Sequence, residues 1–340
     1  MTTIKNVAKK ANTSIATVSA VVNNSAFVSP ELRSRVEKAI KELRYAPNRL
    51  ARGLRSKKSY LVGFIISDIR NIFYPEVYRG IEEVVDNNDY SIILCNTDND
   101  NQKQQEYLEI LAEKQVDGLI IALPSDELIC EALKIKESGK PIVVIDYDSS
   151  LDCLDNVKVD NFEGAYNAVK HLIEMGHERI GIISHYANFP RKGERVVAYE
   201  QCLSDHSLEV RAEYIRIGGL SSEDGYRIAV DLLELDERPT TIFATNNRMI
   251  LGVLRAVNER NLKVPEDIAI VGYDEFEWAS YLKPPITTVY QPTYEMGLNA
   301  AKLLFRNIQS SKMKPVRIVN LKTSLIVRES SNYKLKKGKV

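Results

Sequence analysis

The stretch Thr13–Asn24, TSIATVSAVVNN, decides how the rest of the chain is read. Val18, Val21 and Val22 recur at i, i+3 and i+4, the stripe of a helix with one buried face. Between them stand Ile15, Ala16, Thr17, Ser19, Ala20 and Asn23, small and uncharged where a solvated helix carries Lys and Glu. Such an outer face is prepared for close approach to something other than water.

The flanking segments say what that is. Upstream, Thr3 can cap a short helix whose apolar residues are Ile4, Val7, Ala8 and Ala11. A break at Asn12-Thr13 follows, and Thr13 or Ser14 can cap the quoted helix. Downstream, FVSPELRSRVEKAIKELRYAPN supplies a third helix, with Ser29 as its cap, Pro30 at its first position and Leu32, Val36, Ala39, Ile40 and Leu43 facing inward. Two short helices across a tight turn, braced by a third, form the helix-turn-helix pattern, whose second helix enters the major groove. Short side chains permit that approach: Ser and Thr bond base edges or phosphates, and Ala or Ile meets a thymine methyl.

Charge agrees. The chain is neutral overall, yet residues 1–60 hold 13 Lys+Arg against 3 Asp+Glu, and the remainder 33 against 43. A basic head on an acidic body points to a polyanion as the partner of the head. After Pro47, NRLARGLRS can form one or two helical turns, with Leu50, Ala51 and Leu54 on one side among Arg49, Arg52 and Arg55. Gly53 weakens this helix by roughly 1 kcal/mol relative to Ala. So short a helix is unstable in water and orders only when something packs against it.

From Tyr60 onward, apolar runs alternate with amphipathic helices. YLVGFIIS, YSIILCNT, GLIIAL and PIVVIDY read as buried parallel strands, with helices near 75–88, 102–115 and 126–138. A second set follows: RIGIIS, YIRIGG, TTIFATN and IAIVGYD, with helices near 164–175, 195–204, 222–235 and 249–260. The alternation predicts two doubly wound parallel-sheet lobes, with a ligand held between them at the C-terminal ends of the strands.

Several classes of function find no support. No phosphate loop, dinucleotide fingerprint, G-x-S-x-G or H-E-x-x-H occurs, so the body does not read as an enzyme, and no cofactor is expected. The four cysteines lie far apart without C-x-x-C, which argues against zinc or a disulfide framework. His171, His177, His185 and His206 show no metal spacing and read as core or surface histidines. The polar, basic start lacks a signal-peptide pattern and no segment is long and apolar enough to span a membrane, so a cytoplasmic location is expected.

TIKNVAKKANTSIATVSAVVNN, VSPELRSRVEKAIKEL and YAPNRLARGL together resemble the head of the lactose/purine-repressor (LacI/GalR) family. The likeness continues through DIRNIFYPEVYRGIEE, VDGLII, HLIEMGHERIGII and VPEDIAIVGYDEFEWASYLKPPITTVYQP, nearly the whole chain. The resemblance implies a helix-turn-helix head at 1–46, a hinge helix and linker at 47–59, and a periplasmic-binding-protein-like body at 60–340. It implies lobe 1 at about 60–160 and 292–322, lobe 2 at about 161–291 and 323–330, and recrossings near 160, 290 and 322. The positions it assigns to DNA are Thr3, Ser14, Ile15, Ala16, Thr17, Ser19, Ala20, Asn23, Asn48, Leu54 and Arg55. Leu54 matches the leucine that wedges into a central minor-groove step, at an unstacking cost recovered through the bend. Ala20 departs from the larger polar residue often found there, so the operator sequence does not carry over.

In the body, the resemblance assigns Arg195 to gripping effector oxygens with a bidentate fork and Asp274 to accepting bonds from effector hydroxyls. Phe73 and Tyr74 stack on the ligand or merely pack their loop, and Asp160 closes the pocket or only caps the next helix. Trp278, the sole tryptophan, is a candidate wall. Many relatives carry an effector-binding aspartate where Asn247 stands beside Arg248, which suggests a ligand bearing a carboxylate or phosphate, a sugar acid or sugar phosphate. The expected function is a DNA-binding transcriptional regulator, a repressor of sugar or sugar-acid metabolism genes under a carbohydrate-type effector. It would act as a homodimer on a near-palindromic double-stranded operator, with no membrane partner. The tail, SSNYKLKKGKV, lacks the leucine heptads of a tetramerising helix. The rival readings are a sugar transporter's solute-binding protein and an enzyme with an accessory DNA head.

Overall fold

The structure, a computed structural model, describes residues 2–23, 26–45, 58–113, 116–122, 128–147, 153–185, 193–310 and 314–332, without the side chain of Asn23. Asn48, Leu54 and Arg55 lie outside the described residues. The chain divides into two compact units, Met1–Ser59 and Tyr60–Val340.

In the first unit, helices α1 (Ile4–Lys10), α2 (Ile15–Asn23) and α3 (Pro30–Glu42) enclose one small core. Val7, Ala8, Ala11, Val18, Val21, Val36 and Ala39 fill it, so the stripe read from the quoted stretch does point inward. Ser14 is the cap of α2, its hydroxyl accepting from the N–H of Thr17 at 3.1 Å. Ser29 caps α3 by accepting from Leu32, with Pro30 next. Asn12, in the turn, takes φ +47°, a left-handed conformation that Asn tolerates well.

The second unit holds two six-stranded sheets. Its elements run β1 (Leu61–Ile66), α4 (Phe73–Asp86), β2 (Ser91–Asn96), α5 (Asn101–Glu113), β3 (Gly118–Ala122), α6 (Ile129–Glu137), β4 (Ile142–Ile145) and β5 (Asp155–Val159). Then come α7 (Asn161–Glu174), β6 (Ile180–His185), α8 (Glu194–Asp205), β7 (Ile215–Gly218), α9 (Ser222–Leu233), β8 (Thr241–Ala244), α10 (Asn247–Glu259), β9 (Ala269–Tyr273) and β10 (Thr287–Tyr290). The last are α11 (Thr293–Ile308), β11 (Ile318–Leu321) and β12 (Ser324–Ile326).

The first sheet has the order β11-β5-β4-β3-β1-β2 and is parallel throughout. The second has the order β12-β10-β9-β8-β6-β7, with β12 antiparallel to its neighbour. The central strands β3, β4, β8 and β9 are buried on both faces, which is why they read as unbroken apolar runs. The chain passes between the lobes after β5, after β10 and between β11 and β12. Strands β5, β10, β11 and β12 and helix α11 fall outside the two sets read from the sequence.

Each lobe has a core on both faces of its sheet. In each, two helices cross with their backbones in contact at a glycine pair. A Cβ on Gly80 would lie 2.8 Å from the backbone nitrogen of Leu298, and one on Gly297 would lie 3.0 Å from that of Ile81. In lobe 2, a Cβ on Gly252 would lie 2.6 Å from the carbonyl carbon of Gly225 and closer still to Ser222 O and Tyr226 N.

Candidate functional site

On the head, α2 turns Val18 and Val21 into the core and leaves Ile15 and Ala16 exposed, with Thr17, Ser19 and Ala20 partly so. Ile15 keeps 41% of its surface, a large apolar side chain presented outward among small ones. The Ser14 hydroxyl is engaged with Thr17, 2.9 Å oxygen to oxygen, besides capping. Thr3 is exposed and shares Asn6 Oδ1 through both its N–H, at 2.9 Å, and its hydroxyl, at 2.6 Å. The angle between α1 and α2 is fixed by a residue that pattern reading missed. Arg35 on α3 donates to the carbonyls of Ala11 and Asn12, at 2.7 and 2.9 Å, and so ties down the turn.

In the body, the C-terminal ends of the strands of both lobes close around a cavity of about 180 Å³. Lobe 1 contributes Ser67, Asn71, Phe73 and Tyr74 after β1, and Asp146 and Tyr147 after β4. Lobe 2 contributes Asn161, Ser184, His185, Arg195, Leu220, Asn246 and Asp274, and Gln291 lies on the crossing segment. Phe73 and Tyr74 are buried and meet edge to face at 88°, with the Tyr74 hydroxyl 2.7 Å from Ser67 Oγ. Burial pushes the Tyr74 phenol well above its ordinary pKa.

Arg195 lies 3.7 Å over the ring of Tyr273, a cation–π contact. Its Nε donates to Asn161 Oδ1 at 2.9 Å and its Nη1 to the carbonyl of Thr245. Two of the five guanidinium donors are therefore engaged by the protein, and the other Nη1 hydrogen and both on Nη2 remain for a ligand. Asp274, at φ +71°, is held at both oxygens: Oδ2 accepts from the N–H and Nδ2 of Asn247, at 3.1 and 2.7 Å, and Oδ1 from Gln291 Nε2.

Four residues singled out from the sequence do not line the cavity. Asp160 takes the capping alternative, its Oδ1 accepting from Glu163 N at 2.8 Å, and Asn161 occupies the cavity wall instead. Trp278 is 37% exposed and lies tilted by 34° against Phe276, ring centroids 3.8 Å apart. Asn247 reaches across the cleft to Asn71 Oδ1 at 2.6 Å. Arg248 also crosses the cleft, 3.5 Å from Asp68, which Arg70 binds from its own lobe at 2.8 Å. Burial raises the pKa of Asp68, but bonds from Arg70 and the charges of Arg70 and Arg248 outweigh it and hold the carboxyl below its ordinary value. Ile72 of lobe 1 packs against the lobe 2 core beside these contacts. Asn247 and Arg248 thus fasten the lobes together rather than lining the cavity.

Two wall residues were missed. Gln291 is 3% exposed, and its Oε1 is buried without a hydrogen-bond partner. His185, read from sequence as an ordinary core or surface histidine, lines the cavity with its Nδ1 buried and unpartnered. Burial, and then the charge of Arg195, push its pKa down to about 4, so the ring is neutral. Among the described residues no His, Cys, Asp and Glu cluster could hold a metal ion, and no helix is long and apolar enough to cross a membrane.

Comparison with known proteins gives these two parts a common context. Residues 3–48 match the family model of bacterial regulatory proteins, lacI family, and residues 169–331 a periplasmic binding protein-like domain. The HTH-type transcriptional repressor PurR of Histophilus somni (strain 2336) is 34% identical over 330 residues, 97% of this chain and 99% of that protein. The transcriptional regulator CelR–cellobiose complex shares 30% identity with a TM-score of 0.72, covering 97% of this chain and 100% of that one. The lac repressor dimer bound to operator and the anti-inducer ONPF shares 27% identity with a TM-score of 0.85, covering 97% and 99%. With an exposed groove-suited helix in the first unit, two lobes in the second and full-length likeness to repressors, the chain belongs to the lacI family of bacterial regulatory proteins and is a DNA-binding transcriptional repressor.

Proposed function

We propose that this repressor binds a near-palindromic operator as a homodimer through α2, and that a small neutral carbohydrate in the interlobe cavity controls its grip. The observation that carries the effector half is the chemistry of the cavity wall. Among the described wall residues, carboxylates, side-chain amides and hydroxyls outnumber the cation, Arg195, two of whose donors already bond the protein. Such a set matches the many donors and acceptors of a polyhydroxylated ring and offers little to an acid. Phe73 and Tyr74, lying edge to face, do not make the parallel-walled slot that would sandwich a planar base. The CelR–cellobiose complex, similar along the whole chain, supports the same ligand class. Leu251, Trp278 and Tyr281 are exposed in lobe 2 and are suited to burial against a second copy.

The DNA half is tested by selecting duplexes from random oligonucleotides with the full-length protein, then repeating the binding with a panel of sugars. Log K should fall with log salt by roughly 0.9 per phosphate neutralised. Leu54→Ala, at the position the resemblance assigns to the minor-groove wedge, should weaken specific binding far more than nonspecific binding. Absence of any preferred duplex, with or without sugars, would falsify the operator reading.

A further inference from the structure

Many polar groups of the cleft bond the protein itself. Ser67 is bonded to Tyr74 and Ser184 to Thr245. Asn71 Oδ1 accepts from Phe73 N and Asn247 Nδ2, and both oxygens of Asp274 are in use. Among the described residues, two buried wall atoms have no hydrogen-bond partner: His185 Nδ1 and Gln291 Oε1. A buried polar atom without a partner is a liability in a finished fold, and in a cavity wall it marks where a ligand atom belongs.

The orientation of Gln291 follows from its neighbour. Its Nε2 donates to Asp274 Oδ1, an acceptor, so the other amide atom is the carbonyl oxygen and calls for a donor. His185 stands at the end of β6, paired in register with Gly218 of β7. Among the described residues, the other charged and titratable groups facing the cavity are Arg195 and Glu194 on α8, Asp146 and Tyr147 after β4, Tyr74 on α4 and Asp274 after β9. Half-buried, with its Nδ1 out of contact with water and the Arg195 charge nearby, the imidazole stays neutral and offers one donor and one acceptor, the complement of a hydroxyl.

We propose that His185 and Gln291 are the specificity-determining pair of this cleft: Gln291 Oε1 accepts from a ligand hydroxyl or N–H, and His185 Nδ1 bonds a neutral polar group of the same ligand. This rests on the cleft being the effector site. A site whose own polar atoms are left unpaired rejects ligands that lack the matching group far more strongly than an apolar pocket rejects a missing methylene.

The probes are ribose, cellobiose, gluconate, ribose 5-phosphate and hypoxanthine, titrated calorimetrically into the full-length protein at neutral pH. Whichever probe the wild type binds is then titrated into His185→Leu, His185→Asn and Gln291→Met, with melting temperatures measured in parallel. Gln291→Met also strips the bond to Asp274, so the His185 variants decide. The expected result is a neutral sugar bound by the wild type, weakened by about tenfold or more in His185→Leu at unchanged melting temperature, and largely restored in His185→Asn. If hypoxanthine binds and no sugar does, the carbohydrate reading is wrong, and loss of hypoxanthine binding in His185→Leu still upholds the role of His185. If His185→Leu binds its probe as the wild type does, or if gluconate or ribose 5-phosphate binds best, the proposal for His185 is overturned. Binding of none of the five overturns the carbohydrate reading and this inference together.

Discussion

Replacing Gly252 by alanine adds one methyl group at the point where α9 and α10 touch. In an isolated helix the change would stabilise by about 1 kcal/mol, because glycine carries more backbone entropy to lose. Here the new carbon would stand 2.6 Å from the carbonyl carbon of Gly225, against the 3.4 Å at which ordinary contact begins, and closer to two other backbone atoms. Backbone cannot swing aside as a flexible side chain does, so the helices must separate by about 1 Å along a seam packed by Ile228, Leu232, Met249 and Val253. Overpacking of this kind costs about 1–3 kcal/mol, and lost burial along the seam adds to it. The net expectation is a loss of about 2 kcal/mol, or a melting point lower by about 4–8 °C. Trp278, the sole tryptophan, lies in lobe 2 against Phe276 of the same core, so its fluorescence reports the affected lobe during guanidinium and thermal unfolding. Adding Gly225→Ala should cost less than a second full increment, since the helices are already apart. A Gly252→Ala protein as stable as the wild type, or more so, would show that the seam yields freely and that the close crossing is not needed.

Other expectations follow from particular contacts. His177 is buried, 2.8 Å from Thr240 Oγ1, and desolvation pushes its pKa down to about 4 from an ordinary 6.5. The unfolded chain therefore takes up this proton first, and stability drains as pH falls from 6.5 towards 4, by about 3 kcal/mol in all. His177→Gln should make the profile shallower in that window, where His185 also contributes, and parallel profiles would refute the assignment. Arg35→Met removes both ties to the α1–α2 turn, should cost the head about 2 kcal/mol by circular dichroism, and should weaken binding to every duplex alike. A sequence-selective loss would instead place Arg35 at the bases. Arg248→Met strips the interlobe contact to Asp68, leaving Arg70 as its remaining partner, and should loosen cleft closure by about 1–2 kcal/mol. Small-angle scattering of the ligand-free protein should then give a larger radius of gyration; an unchanged radius would mean that Asn71–Asn247 and Ile72 suffice.

The parts legible in the sequence were those whose physics is local. The caps at Ser14 and Ser29 follow from short-range hydrogen-bonding rules, and the buried central strands announce themselves because both faces must be apolar. Edge strands β11 and β12 are three or four residues long and half exposed, so no apolar run betrays them. In the cleft, pattern and resemblance led to Phe73, Tyr74, Arg195 and Asp274, which line the cavity. They also led to Asn247 and Arg248, whose side chains are claimed by Asn71 and Asp68, partners about 180 residues away in the chain. His185 carried no signal, since a lone histidine at a strand end is usually packing. Its meaning lies in a missing partner, which only three dimensions reveal.

The three passages between lobes bear on how the molecule is made. Neither sheet is finished by a continuous piece of chain: β11 closes one edge and β12 the opposite lobe's, both after residue 317. During translation the earlier strands must wait, with an unsatisfied margin, until residues 318–326 leave the ribosome. A nascent repressor is thus exposed to mispairing for most of its synthesis, and premature termination anywhere before that point yields two incomplete sheets rather than one finished lobe.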